Sequence, residues 1–523
     1  MSAAAAPMPV PLHERITPAT RTIITICVML ATLMQALDST IANVALPYMQ
    51  GTLSANSDQI SWVLTSYVVA AAIMTAPVGW MSARFGTKNV LLVSLVGFTV
   101  TSMMCGVAGS IGEMVIFRFL QGVFGAALVP LSQSTLLNIY PVEKRGGAMA
   151  VWGMGVMLGP ILGPTLGGYL TDIYNWRYVF FVNLPFGIAA TLGIILFMRE
   201  DGDKKVPSFD WTGFGILAVA LAGLQLALDR GETKDWFGSD EVITEAILAA
   251  LGFYLFTVHM LTSSKPLLPK GIFTDRNMLS AILMMFLVGL VLLSSSALMA
   301  PYLQNLSGYS VRSAGLEMAP RGFGTMAAMM ICGRIGTRID VRLQMLVGIA
   351  LLLASLYWMT LWTPDVSSSW IITVIVVQGA GIGLVFMPLQ LIAFATLNPA
   401  LRGDGAAAMS LTRNIGMAIG TSVTSAIVTQ MTQYEHAVLS YFVTPFQHVF
   451  TSGAMALVDP RTAQGAVTMN EMVNRQASII GYGDAFKALM ISSVPCLFLL
   501  FLMRKPKVQP KKPDPSEAHV AMD

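Results

Sequence analysis

Two charged residues lie inside apolar stretches of this sequence that are long enough to cross a bilayer. Asp38 lies in the run from residue 22 to 46, and Arg118 lies in the run from 112 to 136. A charged side chain in a membrane is costly unless it is paired or faces water, so each is a candidate functional residue. A carboxylate can bind and release a proton, and a nearby guanidinium favours its charged form.

The two residues are predicted to lie at similar depth in the bilayer. At a rise of about 1.5 Å per residue, Asp38 lies roughly 24 Å from the inner end of its helix. Arg118 lies roughly 9 Å from the outer end of its own helix, or about 21 Å from the inner face of a core about 30 Å thick. We therefore expect Asp38 to bind the transported proton and Arg118 to control how readily Asp38 binds it. The alternative is a fixed buried pair that only ties two helices together.

The composition is that of an integral membrane protein. Of 523 residues, 55% are hydrophobic and 11% are charged, and the mean hydropathy is +0.67. A net charge of +3 gives no indication of nucleic-acid binding. The four cysteines lie in apolar runs, and no histidine has a metal-ligand spacing. No nucleophile motif or phosphate-binding loop occurs, so we expect no catalytic residue, metal or cofactor, and no use of ATP.

The apolar runs predict an all-α fold with fourteen membrane-spanning helices, since one span needs roughly twenty apolar residues. We interpret them as two six-helix bundles, residues 22–198 and 271–503, with an inserted helix pair and its loops at 199–270. Residues 1–21 and 504–523 are predicted tails, and 432–483 is a predicted outer loop. The predicted spans are 22–46, 59–80, 89–108, 112–136, 146–170, 178–198, 211–229, 242–262, 277–300, 313–335, 343–362, 369–395, 405–431 and 484–503.

The distribution of basic residues predicts the orientation in the membrane. If both tails are cytoplasmic, the inner segments hold 21 of the 31 Lys and Arg residues, the outer segments hold 6, and 4 lie inside helices. An excess of this size follows the positive-inside rule. We expect a bacterial inner-membrane protein with both termini in the cytoplasm, and a lipid anchor in the basic residues that follow position 503.

An internal repeat relates the two predicted bundles. Gln121-Gly122 precedes Arg145-Gly146 by 24 residues, and Gln378-Gly379 precedes Arg402-Gly403 by the same 24, at an offset of 257. The segment Arg84 to Lys88 returns as Arg334 to Arg338 at an offset of 250. Both copies have the same predicted topology, so the repeats are parallel, as in the two halves of a major-facilitator transporter.

A series of glycines marks the fifth predicted span. Glycines recur every four residues with prolines between them, which gives one helix face almost no side chains and allows close approach of another backbone. We expect a helix built for sliding contact, and ordinary small-residue packing is the alternative. The series comprises Gly155, Gly159, Pro160, Gly163, Pro164, Gly167 and Gly168.

These motifs resemble a known family. The chain is similar to the fourteen-helix drug:proton antiporters of the major facilitator superfamily, and within them to the EmrB type. The resemblance covers about residues 20 to 503. It rests on Leu37-Asp38-Ser39-Thr40 with Asn43 to Pro47, the cytoplasmic loop motif with Gly79, Arg84, Gly86 and Lys88, the helix 4 motif with Arg118, Gln121 and Gly122, the glycine series, and Leu228 to Gly231 with Asp235-Trp236-Phe237.

The resemblance implies a function and partners. It implies proton-driven efflux of hydrophobic or amphipathic drugs, together with a periplasmic membrane-fusion adaptor of the EmrA type and an outer-membrane channel. One position departs from the superfamily pattern: Ala83 stands where an Asp usually precedes the Arg of the loop motif. A carboxylate at this position would pair with a neighbouring helix and stabilise one conformation, and Ala83 puts that interaction in doubt.

Several residues are secondary candidates for a substrate cavity. Glu317 and Arg321 are four residues apart, so they can pair along one helix. Arg413 and Asn414 lie beside Gly416 and Gly420, which weakly resemble the glycines of the fifth span, and Asn43 belongs to the first-helix motif. The 35 methionines suit an adaptable apolar pocket, although most Met residues in such helices serve simple packing.

Three functions fit these features. The first is a proton-driven multidrug exporter. The second is a dedicated transporter of one metabolite, such as a siderophore or an organic acid. The third is a membrane receptor or scaffold that transports nothing. The glycine series favours antiport through resemblance, and Asp38 favours proton use through its chemistry.

Overall fold

The structure is a computed structural model that describes residues 16–141, 144–199, 208–335, 339–443 and 462–504. Within these ranges the chain forms helices and no strands, which confirms the all-α prediction. The predicted tails beyond residues 16 and 504, the second loop-motif copy at Gly336 to Arg338 and the centre of the predicted outer loop lie outside the described residues, wholly or in part.

The described chain contains fourteen long helical segments, which we label α1 to α14 in chain order. They are α1 Pro18–Thr52, α2 Ser57–Thr75 continued by Val78–Phe85, α3 Thr87–Val107, α4 Ile111–Ile139, α5 Arg145–Ile173, α6 Tyr178–Phe197, α7 Trp211–Arg230, α8 Asp240–Thr262, α9 Arg276–Leu306, α10 Val311–Met318 continued by Pro320–Ile335, α11 Val341–Thr360, α12 Ser368–Ala395, α13 Arg402–Phe442 and α14 Ala463–Leu502.

Most of these helices are long and apolar enough to cross a membrane. Among the described residues ten qualify, and an eleventh qualifies if the two parts of α2 form one span. The two parts of α2 meet at 57°, next to Pro77, which has no backbone N–H for the helix ladder. The segments α5, α10 and α13 coincide with predicted spans without meeting the same measure. The chain is therefore a multi-pass membrane protein, and the count of fourteen crossings stays a prediction.

Glycines bring α5 into backbone contact with α1. A Cβ added at Gly159 would lie 2.4 Å from the carbonyl carbon of Ala36, and one added at Gly163 would lie 2.1 Å from Oγ1 of Thr40. The Thr40 hydroxyl also donates to the carbonyl oxygen of Gly159 at 3.2 Å. The glycine face therefore packs against the stretch of α1 that carries Asp38.

The second half of the chain repeats this contact between α13 and α9. A Cβ at Gly416 would lie 2.2 Å from the carbonyl oxygen of Phe286, and one at Gly420 would lie 2.5 Å from that of Leu290. Gly416 follows Gly159 by the same 257 residues that relate the sequence motifs. The weak resemblance between the two glycine sets thus corresponds to equivalent helix contacts.

The inserted helices α7 and α8 pack where α2 and α13 meet. One buried apolar cluster contains Ala72 of α2, Leu217 and Leu221 of α7, Phe256 of α8 and Leu411 of α13. A glycine permits close approach within the pair, because a Cβ at Gly223 would lie 2.8 Å from the carbonyl oxygen of Glu245. The inserted pair therefore covers the α2–α13 side of the molecule.

Much of the predicted outer loop is helical. Helix α13 continues to Phe442 and α14 begins at Ala463, so residues 432–442 and 463–483 extend two helices, whereas 444–461 are not described. At about 1.5 Å per residue, the 41 residues of α13 measure roughly 62 Å, about twice the thickness of the hydrocarbon core. The hydropathy of these residues had indicated an outer loop over 432–483.

The α1–α5 contact predicts a graded set of glycine substitutions. We expect Gly159→Ala to lower the free energy of unfolding by about 1–3 kcal/mol, because the new methyl group meets backbone that cannot yield. Gly155→Ala meets only the flexible end of Met29 and should cost less, whereas Gly147→Ala meets nothing within 4 Å and serves as the control. Thermal unfolding of the purified variants tests this order, and equal shifts for all three would contradict it.

Candidate proton-binding site

Asp38 and Arg118 form an ion pair in the interior of the N-terminal helices. The Nη1 atom of Arg118 lies 2.7 Å from Oδ2 of Asp38, and both side chains are fully buried. Asp38 belongs to α1 and Arg118 to α4, and the two residues are 80 positions apart in the sequence. The two residues singled out by their intramembrane charge are therefore in direct contact.

Amide side chains complete the coordination of the Asp38 carboxylate. Gln121 Nε2 donates to Oδ1 at 2.9 Å, and Asn183 Nδ2 of α6 donates to the same oxygen at 3.1 Å. Three side chains thus donate hydrogen bonds to one buried carboxylate. These bonds offset part of the cost of removing its charge from water.

Arg118 has acceptors besides Asp38. Its Nη1 donates to Gln121 Oε1 at 2.8 Å, and its Nε donates to the backbone carbonyl of Val63 on α2 at 3.1 Å. The guanidinium carbon also lies 4.3 Å from the ring centre of Tyr67 and 5.7 Å from that of Phe180. Arg118 can therefore keep several stabilising contacts if Asp38 takes up a proton and loses its charge.

Sequence reasoning missed three members of this site: Asn183, Tyr67 and the Val63 carbonyl. Asn183 interrupts a strongly apolar run and could have been noticed as an isolated amide. Tyr67 is one aromatic residue among many, and a backbone carbonyl has no sequence signal. Gln121 was selected for its motif alone, whereas the structure gives it bonds to both charged residues.

Gly122, the partner of Gln121 in the helix 4 motif, serves packing. A Cβ there would lie 2.4 Å from the carbonyl oxygen of Tyr67, so the glycine allows α2 and α4 to approach. This approach brings the Val63 carbonyl and the Tyr67 ring to Arg118.

The glycine series contacts α1 over several turns. Gly155 faces Met29, Gly167 faces Ile41, and Gly168 has only ordinary van der Waals contact with Val44. Helix α5 runs through positions 160 and 164, and the side chains of Pro160 and Pro164 lie outside the described residues. The series places a nearly bare helix face behind the α1 segment that carries Asp38.

The cytoplasmic loop motif lies at the junction of α2, α3 and α13. A Cβ at Gly79 would lie 1.8 Å from Oδ1 of Asp404, so only glycine fits against this carboxylate of α13. Gly86 has φ 85°, a conformation that favours glycine. Lys88 Nζ donates to the Ile195 carbonyl at 3.0 Å, and Arg84 is exposed. Ala83 leaves no carboxylate on this loop, whereas Asp404 supplies one from α13.

Two further polar contacts join the halves of the chain near these residues. Gln133 Nε2 of α4 donates to Gln390 Oε1 of α12, and both side chains are buried. The two glutamines are 257 residues apart, the offset of the sequence repeat. Arg402 Nη1 donates to Asn138 Oδ1 at 3.0 Å. The ends of α4, α12 and α13 are thus held together in this conformation.

The expected pairing of Glu317 with Arg321 is wrong. Arg321 donates to the Leu292 carbonyl and the hydroxyls of Ser295 and Ser296, all on α9, whereas Glu317 accepts from Ser368 at 2.6 Å. A break between Met318 and Pro320 divides α10 between the two residues, so they do not share one regular helix.

The remaining secondary candidates are dispersed. Arg413 is buried and its Nε has no hydrogen-bond partner, Asn414 is half-buried, and Asn43 is exposed. None of the three bonds to Asp38 or Arg118 within the described part of the chain. Likewise, no group of three or more His, Cys, Asp or Glu residues is placed to hold a metal ion in the ranges given above.

Comparison with known proteins places the chain in a class. The Major Facilitator Superfamily pattern matches residues 28–421. The human organic anion transporter MFSD10 has the same fold, with a TM-score of 0.57 at 15% identity over 92% of this chain and 100% of that structure. The chain therefore belongs to the major facilitator superfamily, and the predicted fold class is confirmed.

Two curated relatives are considerably more similar in sequence. The multidrug export protein EmrB of Escherichia coli K12 is 35% identical over 429 residues, covering 81% of this chain and 83% of that protein. The fatty acid resistance protein FarB of Neisseria gonorrhoeae is 32% identical over 490 residues, covering 92% and 96%. The resemblance to the EmrB type is thus confirmed.

The ion pair predicts that loss of Arg118 alone is worse than loss of both charges, because Arg118 has other partners and Asp38 would be left with an unbalanced charge. We expect Arg118→Met to lower the free energy of unfolding by about 3–5 kcal/mol, because it leaves a buried, unpaired carboxylate. The double variant Asp38→Asn with Arg118→Met should recover much of that loss. The defect of Arg118→Met should also shrink at low pH, when the unpaired carboxyl group can take up a proton.

Thermal unfolding over a pH series measures both effects. A double variant that is as unstable as Arg118→Met at neutral pH would show that the paired charges do not account for the loss.

Proposed function

We propose that this protein is a proton-driven multidrug exporter that works by alternating access. The observation that carries the proposal is the buried Asp38–Arg118 pair, held at 2.7 Å by residues of α1, α2, α4 and α6. The similarity to EmrB along most of the chain supports export of several hydrophobic or amphipathic compounds. The exporter needs no cofactor for this exchange, because the energy comes from the proton gradient.

The geometry suggests how Asp38 exchanges a proton for drug. In this conformation the Asp38 carboxyl group is fully buried and lies against the Arg118 guanidinium. When the site opens to the outside, the drug leaves, Asp38 takes up a proton, and Arg118 keeps its bonds to Gln121 and Val63. The weakened α1–α4 contact then lets α1 move along the bare face of α5. Opening to the inside returns the proton to the cytoplasm and reforms the pair.

A dedicated exporter of one amphipathic acid is the second candidate. The similarity to FarB, a protein named for fatty acid resistance, favours it over an import function. Both candidates use the same proton chemistry and differ in substrate range. Resistance profiles in a pump-deficient host, with and without a protonophore, separate them.

We also propose the orientation and the partners that the resemblance implies. The positive-inside asymmetry supports an inner-membrane location with both termini in the cytoplasm. Residues 22–198 and 271–503 then form the two rocking bundles, and residues 199–270 form the insertion. A membrane-fusion adaptor of the EmrA type would bind on the periplasmic side and lead to an outer-membrane channel.

The extensions of α13 and α14 are the surface we assign to the adaptor. Residues beyond about 425 of α13 project past a hydrocarbon core about 30 Å thick when Arg402 lies at its inner face. Large apolar side chains there are exposed, among them Tyr434 at 62% and Val467 at 60%. Exposed apolar groups in water are typical of a protein-binding surface.

The Asp38 proposal predicts a separation of transport from folding. We expect Asp38→Asn to keep expression and thermal stability but to reduce efflux of ethidium, driven by a pH gradient, to the level of protein-free vesicles. The amide keeps a polar group in place but cannot carry a proton. Glu113→Gln, an exposed carboxylate on the same α4 helix as Arg118, is the matched control and should transport normally. Proton-coupled efflux by Asp38→Asn would contradict the mechanism.

The adaptor surface predicts a different phenotype. We expect Tyr434→Asp with Val467→Asp to abolish co-purification with a membrane-fusion adaptor and to lower cellular resistance, because charges replace the exposed apolar contacts. Transport by the purified variant in vesicles should be unchanged. Thr468→Ala, next to Val467 on α14, is the control, because the Thr468 hydroxyl bonds to the backbone of its own helix. Normal adaptor capture by the double variant would exclude this surface.

A further inference from the structure

The outer end of the inserted helix α7 is bound to both halves of the chain. The Thr65 hydroxyl of α2 donates to the Asp229 carboxylate, and the Arg230 guanidinium carbon lies 4.6 Å from the Trp62 ring centre. On the other side, Ser425 and Thr429 of α13 donate to Glu232 at 2.6 and 2.8 Å. Five consecutive residues, Leu228 to Glu232, thus link α2 to α13.

The backbone of this segment strengthens the link to α13. The Ser422 hydroxyl donates to the Leu228 carbonyl at 2.7 Å, one turn before Ser425. Arg230 forms ion pairs with Glu241 and Glu245 of α8, so its charge is balanced within the inserted pair. Asp229 and Glu232 are exposed. Their hydrogen-bond donors lie on α2 and on α13, which belong to the two halves that must move in transport.

The α2 turn that receives this link also touches the Asp38–Arg118 pair. Val63 and Tyr67 lie on one face of the turn and contact Arg118, whereas Trp62 and Thr65 lie on the opposite face and contact α7. A helical turn moves as a unit because its backbone hydrogen bonds fix it. A displacement at Thr65 is therefore transmitted to the Val63 carbonyl and to Arg118.

We propose that Asp229 is a positioning residue that couples the protonation of Asp38 to the movement of α13, through Thr65 on one side and Glu232 on the other. The proposal rests on the proposed proton-driven export and assigns a role in it to the inserted helices. Asp229 acts through its bond to Thr65 and does not itself carry the transported proton. Without the link, Asp38 can still take up and release protons, but this exchange no longer drives α13.

Isosteric variants at both ends of the link test the proposal in vesicles of known lipid composition. Thr65→Val removes the donor on α2, and Ser422→Ala with Ser425→Ala and Thr429→Val removes the three donors on α13. Each should lower gradient-driven ethidium efflux by about tenfold, the effect of losing a hydrogen bond to a charged group. Each should also raise the number of protons that enter per ethidium exported, while ethidium affinity stays within about twofold of the original.

Conservative variants provide the controls. Thr65→Ser keeps the donor, and Asp229→Asn keeps an acceptor, so both should retain the proton-to-ethidium ratio. Thr421→Val lies on α13 and loses only bonds to its own helix backbone, so it should also behave normally. Combining the α2 and α13 variants should be no worse than either alone, because both break the same connection.

The outcomes separate this inference from the proposed function. If the unmodified protein exchanges protons for ethidium but Thr65→Val keeps a normal ratio, the coupling role of Asp229 is wrong. Multiplicative losses in the combined variant, or lower thermal stability with an unchanged ratio, would also overturn it. Loss of coupling in Asp229→Asn with normal Thr65→Val would assign Asp229 a proton instead. An unmodified protein that exchanges no protons would refute the proposed function itself.

Discussion

A buried ion pair between Asp38 and Arg118 is the constraint on which the N-terminal half of this protein depends. Charges without access to water must be matched in sign and surrounded by hydrogen-bonding groups. The structure provides both through Gln121, Asn183 and the Val63 carbonyl. Four helices thereby have a fixed position relative to one carboxylate. A change in the charge of that carboxylate alters the contacts of all four.

The two halves of the chain share their packing but differ in their chemistry. Gln121 and Gln378 occupy equivalent positions at the offset of 257, yet Gln121 bonds to the ion pair whereas Gln378 has an unbonded Oε1 atom. Ile375 stands where the first half has Arg118. In the second half, Arg321 is held by serine hydroxyls and a carbonyl group, with no carboxylate partner among the described residues. The buried pairing of an acid with a base thus lies in the first half, which is where we propose the proton chemistry to occur.

The sequence was most informative where a residue type is rare in its surroundings. A charge in an apolar span is such a residue, so Asp38 and Arg118 could be identified and expected to lie close enough to interact. The glycine series was informative because its period matches a helix face. Side-chain pairing within α10 was predicted wrongly because the i, i+4 spacing was applied across Pro320, a residue that interrupts a regular helix. The helical extensions of α13 and α14 were missed because polar residues favour a loop when only hydropathy is considered.

Helix α1 connects the ion pair to the rest of the molecule. Asp38 points away from Ala36 and Thr40, which face the bare surface of α5, so α1 lies between the charged site and a surface without interlocking side chains. Helix α5 in turn contacts α10, where Gly153 faces Met329 and Gly333 faces Ala150. A second connection runs on the opposite side through α2 and the inserted helix α7 to α13. The charged site therefore has a route to the second half through the packed faces of α1 and α5 and another through the polar bonds of α7, in addition to the polar contacts of α4 with α12 and α13. Helix α1 can slide along the glycine face of α5 because no side chains interlock there. Hydrogen bonds are directional and break when their partners shift, so the bonds of α7 can limit how far that movement goes.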